Sequence, residues 1–200
     1  MKSTFTNADY RKRFNDLLSR VNRGGVNNLV DYLEKNGFFV APCSSQYHGA
    51  REGGLLEHSV NVTELALKLR EVIACDVPEE SVIIAGLFHD CGKAGYYGKQ
   101  NYTENRLKGG KLSESKPYAT NGDRLPMPHQ TVSAILLTKF MPLTEQEVYA
   151  ILYHNGLYTP DGRVIQGKET PLLLLIHFAD MWASRFTEVE YTPVTDGGLF

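Results

Sequence analysis

Apolar residues along the chain fall into a succession of helical faces separated by Gly and Pro stops. In residues 9–22, Tyr10, Phe14, Leu17, Leu18 and Val21 recur on one side of a helix, and Gly24-Gly25 ends the run. Val26, Leu29, Val30 and Leu33 define a second helix over 26–35, stopped by Asn36-Gly37, and 38–42 reads as an extended linker. A Gly-rich turn over 47–54 leads into a helix over 55–73 that faces Leu55, Val62, Leu65, Ala66 and Leu69 inward. Pro78-Glu79-Glu80-Ser81 opens the next helix, with proline near its first position and acids at the positive end of its dipole. That helix is apolar on most sides through Phe88. Helical periodicity returns at His129, with Val132, Ile135, Leu136 and Phe140 on one face and Pro142 as the stop. Thr144 and Glu147 have capping-box spacing and start a helix that carries Val148, Ile151 and Leu152 to His154. Residues 157–165, around Asp161-Gly162, read as a short β-hairpin. A last helix over 171–186 is almost wholly apolar until Asp180. The pattern predicts a mostly α protein.

One segment breaks this order. Residues 94–128 contain Gly109-Gly110, Pro117, Pro126 and Pro128, and from Lys93 to Lys116 six basic residues stand against Glu104 and Glu114. A loop of this length is either a solvated excursion or a functional lid, here one that brings positive charge to an anionic substrate. Length and charge add little more. The 200 residues suffice for one domain with decorations, and a net charge of −2 gives no general attraction to nucleic acid or membrane. Cys43, Cys75 and Cys91 form no CxxC pair, which argues against a disulfide framework or a thiolate zinc site. The first residues lack the apolar core of a secretory signal, and the longest apolar run, 172–176, is far too short to cross a bilayer. A soluble, cytoplasmic protein without a membrane partner is expected.

The chemistry concentrates where the apolar pattern carries charge. The run 82–88 ends in His89-Asp90, and a buried carboxylate is costly unless it is paired or bound to a metal. His58 shares the inward face of Val62 and Leu65, and Asp180 sits inside the last apolar helix. Together His58, His89, Asp90 and Asp180 supply two imidazoles and two carboxylates, the donors that divalent metals of hydrolytic centres take. Four such ligands would leave positions open for water and a phosphate oxygen. Adjacent residues on a helix diverge by about 100°, so His89 and Asp90 converge on one ion only if it sits over their shared flank or if the helix ends there. Gly92 is consistent with such an end.

The segments 53–59 (with Glu57-His58-Ser59), Leu87-Phe88-His89-Asp90-Cys91-Gly92-Lys93 and Phe178-Ala179-Asp180 resemble the metal-ligand segments of the HD-domain metal-dependent phosphohydrolases. The stretch 47–59 is similar to small bacterial and phage HD hydrolases and to the HD half of certain 3′-to-5′ exoribonucleases. The resemblance implies an all-α HD helical bundle, here with a long lid loop and a short β-hairpin. It divides the chain into an N-terminal helical extension (1–42), the HD domain (43–186) and a C-terminal tail (187–200). It implies one or two divalent ions per chain, with His58, His89, Asp90 and Asp180 as ligands. His129 and His154 would either complete a second metal site with Asp90 bridging, or contact the phosphate and act as general acids. Lys93 would lie near the phosphate; Arg51 and Lys116 are further candidate phosphate binders. His48 is a candidate substrate contact or an exposed loop residue, and His177 is expected in a supporting or core role.

By this resemblance the substrate is a phosphorylated small molecule. A mononucleotide or cyclic nucleotide is expected, cleaved with a metal-activated water. The alternatives are an exonuclease-like phosphodiesterase acting on short single-stranded nucleic acid, and a non-catalytic HD module that senses a nucleotide or docks a partner. A complete ligand set argues against the last.

Overall fold

Thr6 opens the first helix by a reciprocal capping box with Asp9, two residues earlier than the apolar spacing alone suggests. The computed structural model describes residues 5–188. Its helices are α1 (Asn7–Leu18), α2 (Val26–Lys35), α3 (Gly54–Ile73), α4 (Glu79–Phe88), α5 (His129–Phe140), α6 (Glu145–Tyr153) and α7 (Pro171–Trp182). The central helix α3 packs against α1, α4 and α7, while α6 joins α7 to α5, and α2 lies on α5. The expectation of a helical bundle therefore holds.

Phe14 of α1 seats this arrangement, with ring centroids 5.9 Å from Phe38, 5.2 Å from Phe39 and 6.0 Å from Phe88. Residues 38–42 are consequently not an extended linker. Burial of Phe38, Phe39 and Ala41 coils them into a turn in which Val40 and Ala41 donate to the Gly37 carbonyl at 3.2 and 2.9 Å.

Residues 157–165 also depart from expectation. They form two 3₁₀ turns, Gly156–Tyr158 and Pro160–Ile165, and not a hairpin. Pro160 fixes its own φ near the helical value and stands at the start of a turn, so the chain coils instead of extending. Strand pairing occurs instead in the segment after Lys93. There β1 (Gly95–Tyr96) and β2 (Lys99–Gln100) make a hairpin around Tyr97-Gly98, both with positive φ (53° and 71°), the geometry of a type I′ turn. A second antiparallel ladder joins β3 (Tyr102–Glu104) to β4 (Tyr118–Thr120). The long loop is thus folded back on itself. No described helix is long and apolar enough to cross a membrane.

Two details hold the helices at the distances the site needs. Gly86 of α4 lies so close to α3 that a Cβ there would meet Thr63 Oγ1 at 2.6 Å and Thr63 Cα at 2.9 Å. This contact falls three residues before His89 and five after His58, so it sets the separation of the two imidazoles. On the far side, the buried Glu147 carboxylate binds Arg23 at 3.1 Å through both oxygens, Ser81 Oγ at 2.7 Å and the Thr144 N–H at 2.8 Å. Burial pushes its pKa upward, but Arg23, Thr144 and Ser81 outweigh that and hold it below the usual glutamate value.

Gly86→Ala should cost about 1–3 kcal/mol through overpacking, although alanine is the better helix former; a thermal melt reads this as a lowered Tm. Glu147→Ala should cost roughly 3–5 kcal/mol, because Ser81, the Thr144 N–H and one side of Arg23 lose a shared buried acceptor, Arg23 keeping only Glu80 and the Pro142 carbonyl. Since the folded pKa of Glu147 is depressed, its contribution is complete above the unfolded glutamate pKa and fades as pH falls through the folded value. Denaturant titrations should therefore show a wild-type advantage over Glu147→Gln at neutral pH that shrinks in acid.

Candidate metal centre

α4 ends at Phe88, His89 caps it, and Asp90 leaves helical geometry (φ −105°, ψ 7°) before a 3₁₀ turn over Cys91–Lys93. The helix end is what allows His89 and Asp90 to converge. His89 Nε2 lies 3.5 Å from Asp90 Oδ2, and His58 Nε2, from the first part of α3, lies 3.5 Å from the same oxygen. His58 Nε2 is also 3.2 Å from Asp180 Oδ1 and 3.3 Å from His89 Nε2. The other Asp90 oxygen, Oδ1, faces His129 Nε2 at 3.1 Å and His154 Nε2 at 3.5 Å. His129 comes from the first residue of α5 and His154 from the residue capping α6.

Gly92 makes the His129 side possible. A Cβ at this position would meet the His129 carbonyl oxygen at 2.3 Å, and its N–H donates to Ser133 Oγ at 2.9 Å. The 3₁₀ turn is therefore pressed onto the first turn of α5. The remaining candidates lie as follows. Lys93 Nζ is 2.6 Å from Asp90 Oδ2. Arg51 is ion-paired with Glu57 and Lys116 is exposed on the folded loop; neither lines the pocket at the centre. His177 Nδ1 donates to the His154 carbonyl at 2.7 Å, a supporting position. His48 is half-buried with its ring 5.0 Å from that of His58, not free in a loop.

Two contributors escaped the reading of the sequence. Cys43 Sγ sits 3.4 Å from His48 Nε2 and 3.9 Å from Asp90 Oδ2; burial pushes its thiol up to about 12, so it is protonated at neutral pH. The second is Glu188, in the stretch expected to be a tail, whose remainder from 189 lies outside the described residues. His58 Nδ1 lies 3.1 Å from each Glu188 oxygen. A π turn over Ala183–Thr187 explains how. On a continuing α-helix, position 188 would stand about 80° around from Asp180. The wider i→i+5 turn absorbs an extra residue and returns Glu188 to the face of Asp180. No periodicity rule for α-helices predicts this.

The hydrogen bonds assign the tautomers. Carbonyl oxygens accept only, so His89 Nδ1 donates to Gly86 O at 2.9 Å and His154 Nδ1 donates to Ile151 O at 2.8 Å. In these tautomers the Nε2 atoms carry lone pairs directed at carboxylate oxygens, and that of His154 is also met by the Asn155 amide N–H at 3.0 Å. Asp90 Oδ1, buried among them, accepts no hydrogen bond. A cluster of acceptors facing acceptors is what a cation resolves, with Nδ1 partners fixing each ring as in known metal sites.

Charge leads to the same conclusion. Burial opposes ionisation of Asp90, but the Lys93 ammonium beside it outweighs that and holds the carboxyl well below the usual range. The same holds for Asp180 and Glu188 beside His58. Burial likewise opposes a charge on His58, yet the Glu188 and Asp180 carboxylates beside it raise its pKa well above the ordinary value. Burial lowers His129 to about 4, leaving it neutral. Three carboxylates against His58 and Lys93 leave a buried centre with net negative charge. The donor sets His58–His89–Asp90 and Asp90–His129–His154 each fall within 4.8 Å, and both suit a divalent ion.

A helical bundle that gathers His58, His89-Asp90 and Asp180 from three helices defines a class. The chain belongs to the HD domain family, whose model matches residues 55–180. It is 41% identical over 155 residues to the dihydroneopterin 2′,3′-cyclic phosphate phosphodiesterase of Methanocaldococcus jannaschii, covering 74% of this chain and 53% of that protein. The chain thus spans about half the length of this curated relative. No solved structure matches it significantly.

Elemental analysis should find divalent metal in the purified wild type and none above background in Asp90→Asn, which removes the shared charge while keeping the shape. Glu188→Gln, which keeps the fold but weakens the hold on His58, should lower metal affinity roughly 10–100-fold in a chelator competition. Because binding displaces the His58 proton, affinity should rise with pH through the neutral range.

Proposed function

We propose that the chain is a metal-dependent phosphodiesterase with a two-ion centre bridged by Asp90, acting on a cyclic phosphodiester of a nucleotide-like molecule. The observation that carries this reading is the division of the Asp90 carboxylate, with Oδ2 directed at His58 and His89 and Oδ1 at His129 and His154. It favours ligand roles for His129 and His154 over direct phosphate contact. Asp180 completes the first set.

Divalent ions held there would supply Lewis acidity and a water that ionises near neutral pH. The chain's own groups do the rest. Lys93, raised in pKa by Asp90 against the cost of burial, stays protonated and places a fixed positive charge where phosphoryl oxygens gain negative charge. Asn155 Nδ2 lies 3.0 Å from His154 Nε2 and 3.4 Å from His129 Nε2, steadying both rings. Hydrolysis adds one water across one P–O bond, so the five-membered ring opens to a phosphomonoester and a free hydroxyl.

The cyclic phosphodiester is supported by the activity named for the relative and by the size of the pocket beside Asp180. At 160 Å³ it holds a compact phosphate group, with the rest of the substrate lying outside it. With manganese present, the purified protein should convert adenosine 2′,3′-cyclic phosphate to a monophosphate, followed by chromatography. Metal analysis should give two equivalents per chain, falling to one in His129→Ala and His154→Ala. Two equivalents retained in both variants would defeat the bridged centre.

A further inference from the structure

We infer that Tyr158 and Arg185 form a subsite for the planar ring of the substrate, outside the phosphate pocket. This inference rests on the phosphodiesterase reading and extends it to substrate specificity. The pocket that reaches Lys93 and Asp180 is bounded on its outer side by Tyr158 and Arg185, both exposed. Its 160 Å³ is well below the roughly 300 Å³ of a site that encloses a small molecule. The phosphate end therefore fills it, and the bulkier end of the substrate must rest on the rim.

The rim is built for a flat, electron-rich partner. Tyr158 is 63% exposed, yet its ring is held: the hydroxyl donates to Met181 Sδ at 3.7 Å, and His177 packs beside it with ring centroids 6.1 Å apart. The Arg185 guanidinium lies 4.8 Å from the Tyr158 ring centroid. Like Arg70, Arg124 and Arg163, Arg185 has no ion pair with a carboxylate among the described residues, and of these four it alone lines the pocket. A planar cation stacked on an aromatic ring, with no ion pair to satisfy it, offers a second flat surface to a heterocycle. The π turn that carries Glu188 to His58 also carries Ser184 and Arg185 to the pocket. One local distortion thus serves both the metal centre and the rim.

The test compares two substrates of the manganese-loaded full chain: adenosine 2′,3′-cyclic phosphate and glycerol 1,2-cyclic phosphate, which has the cyclic phosphodiester and no base. The readout is the ratio of their kcat/KM values. Loss of a stacking partner should lower this ratio at least about fivefold in Tyr158→Ala, and Tyr158→Phe should restore it. Arg185→Lys should lower the ratio as Arg185→Gln does, since lysine keeps the charge and loses the plane. An unchanged ratio, or equal losses on both substrates, would overturn the subsite. If the wild type turns over neither compound, the phosphodiesterase reading fails, and calorimetric binding of adenosine 3′-phosphate decides the subsite independently. Weaker binding in Tyr158→Ala than in wild type sustains it, and equal binding overturns it.

Discussion

Asp90 is 1% exposed and ionised, and nearly every feature of the centre answers to that fact. A carboxylate so deeply buried survives only when its environment returns what water would have given. Here Lys93 stands 2.6 Å from one oxygen, and imidazoles from four separate positions surround both. The cost is an excess of acceptors, with one oxygen left without a hydrogen bond. That excess is the physical case for a bound cation, and it comes from tautomers and charge, independently of family membership.

The bundle exists in the form that this centre needs. Gly86 lets α3 and α4 approach closely enough for His58 and His89 to come within 3.3 Å. Gly92 does the same for α5, bringing His129 to Asp90. The His89 and His154 rings are then held from behind by backbone carbonyls, and His58 by Glu188. Because those carbonyls lie on the turns just before the histidines, the helix ends orient the ligands directly. Far from the centre, the Glu147–Arg23–Ser81 network ties the entry of α2 and the starts of α4 and α6 together. The two helices that lead to His89-Asp90 and to His154 are thereby tied at their starts.

Much of this was legible from residue order. Helical spacing gave α2 and α5 their bounds and placed α3, α4 and α6 within a residue, because apolar faces and capping residues act over a few positions. His58, His89, Asp90 and Asp180 stood out because charge inside an apolar helix demands a partner. The 157–165 segment misled because Asp-Gly is a strong turn signal whose flanks can still coil. Residues 38–42 misled because two phenylalanines in a short loop say nothing about where the core lies.

The sequence by itself determined the helices, the helix end at His89-Asp90, and the four residues with donors suited to a metal. Those properties depend on neighbours within a turn or two. Only the tertiary structure decided that Asp90 faces four imidazoles and that Arg51 and Lys116 stand apart from the pocket. It also decided that Glu188, Tyr158 and Arg185 join the site. These are contacts between residues as many as 130 positions apart, and in the last helix they depend on one extra residue in a π turn. No local pattern encodes a distance across a core. Packing does.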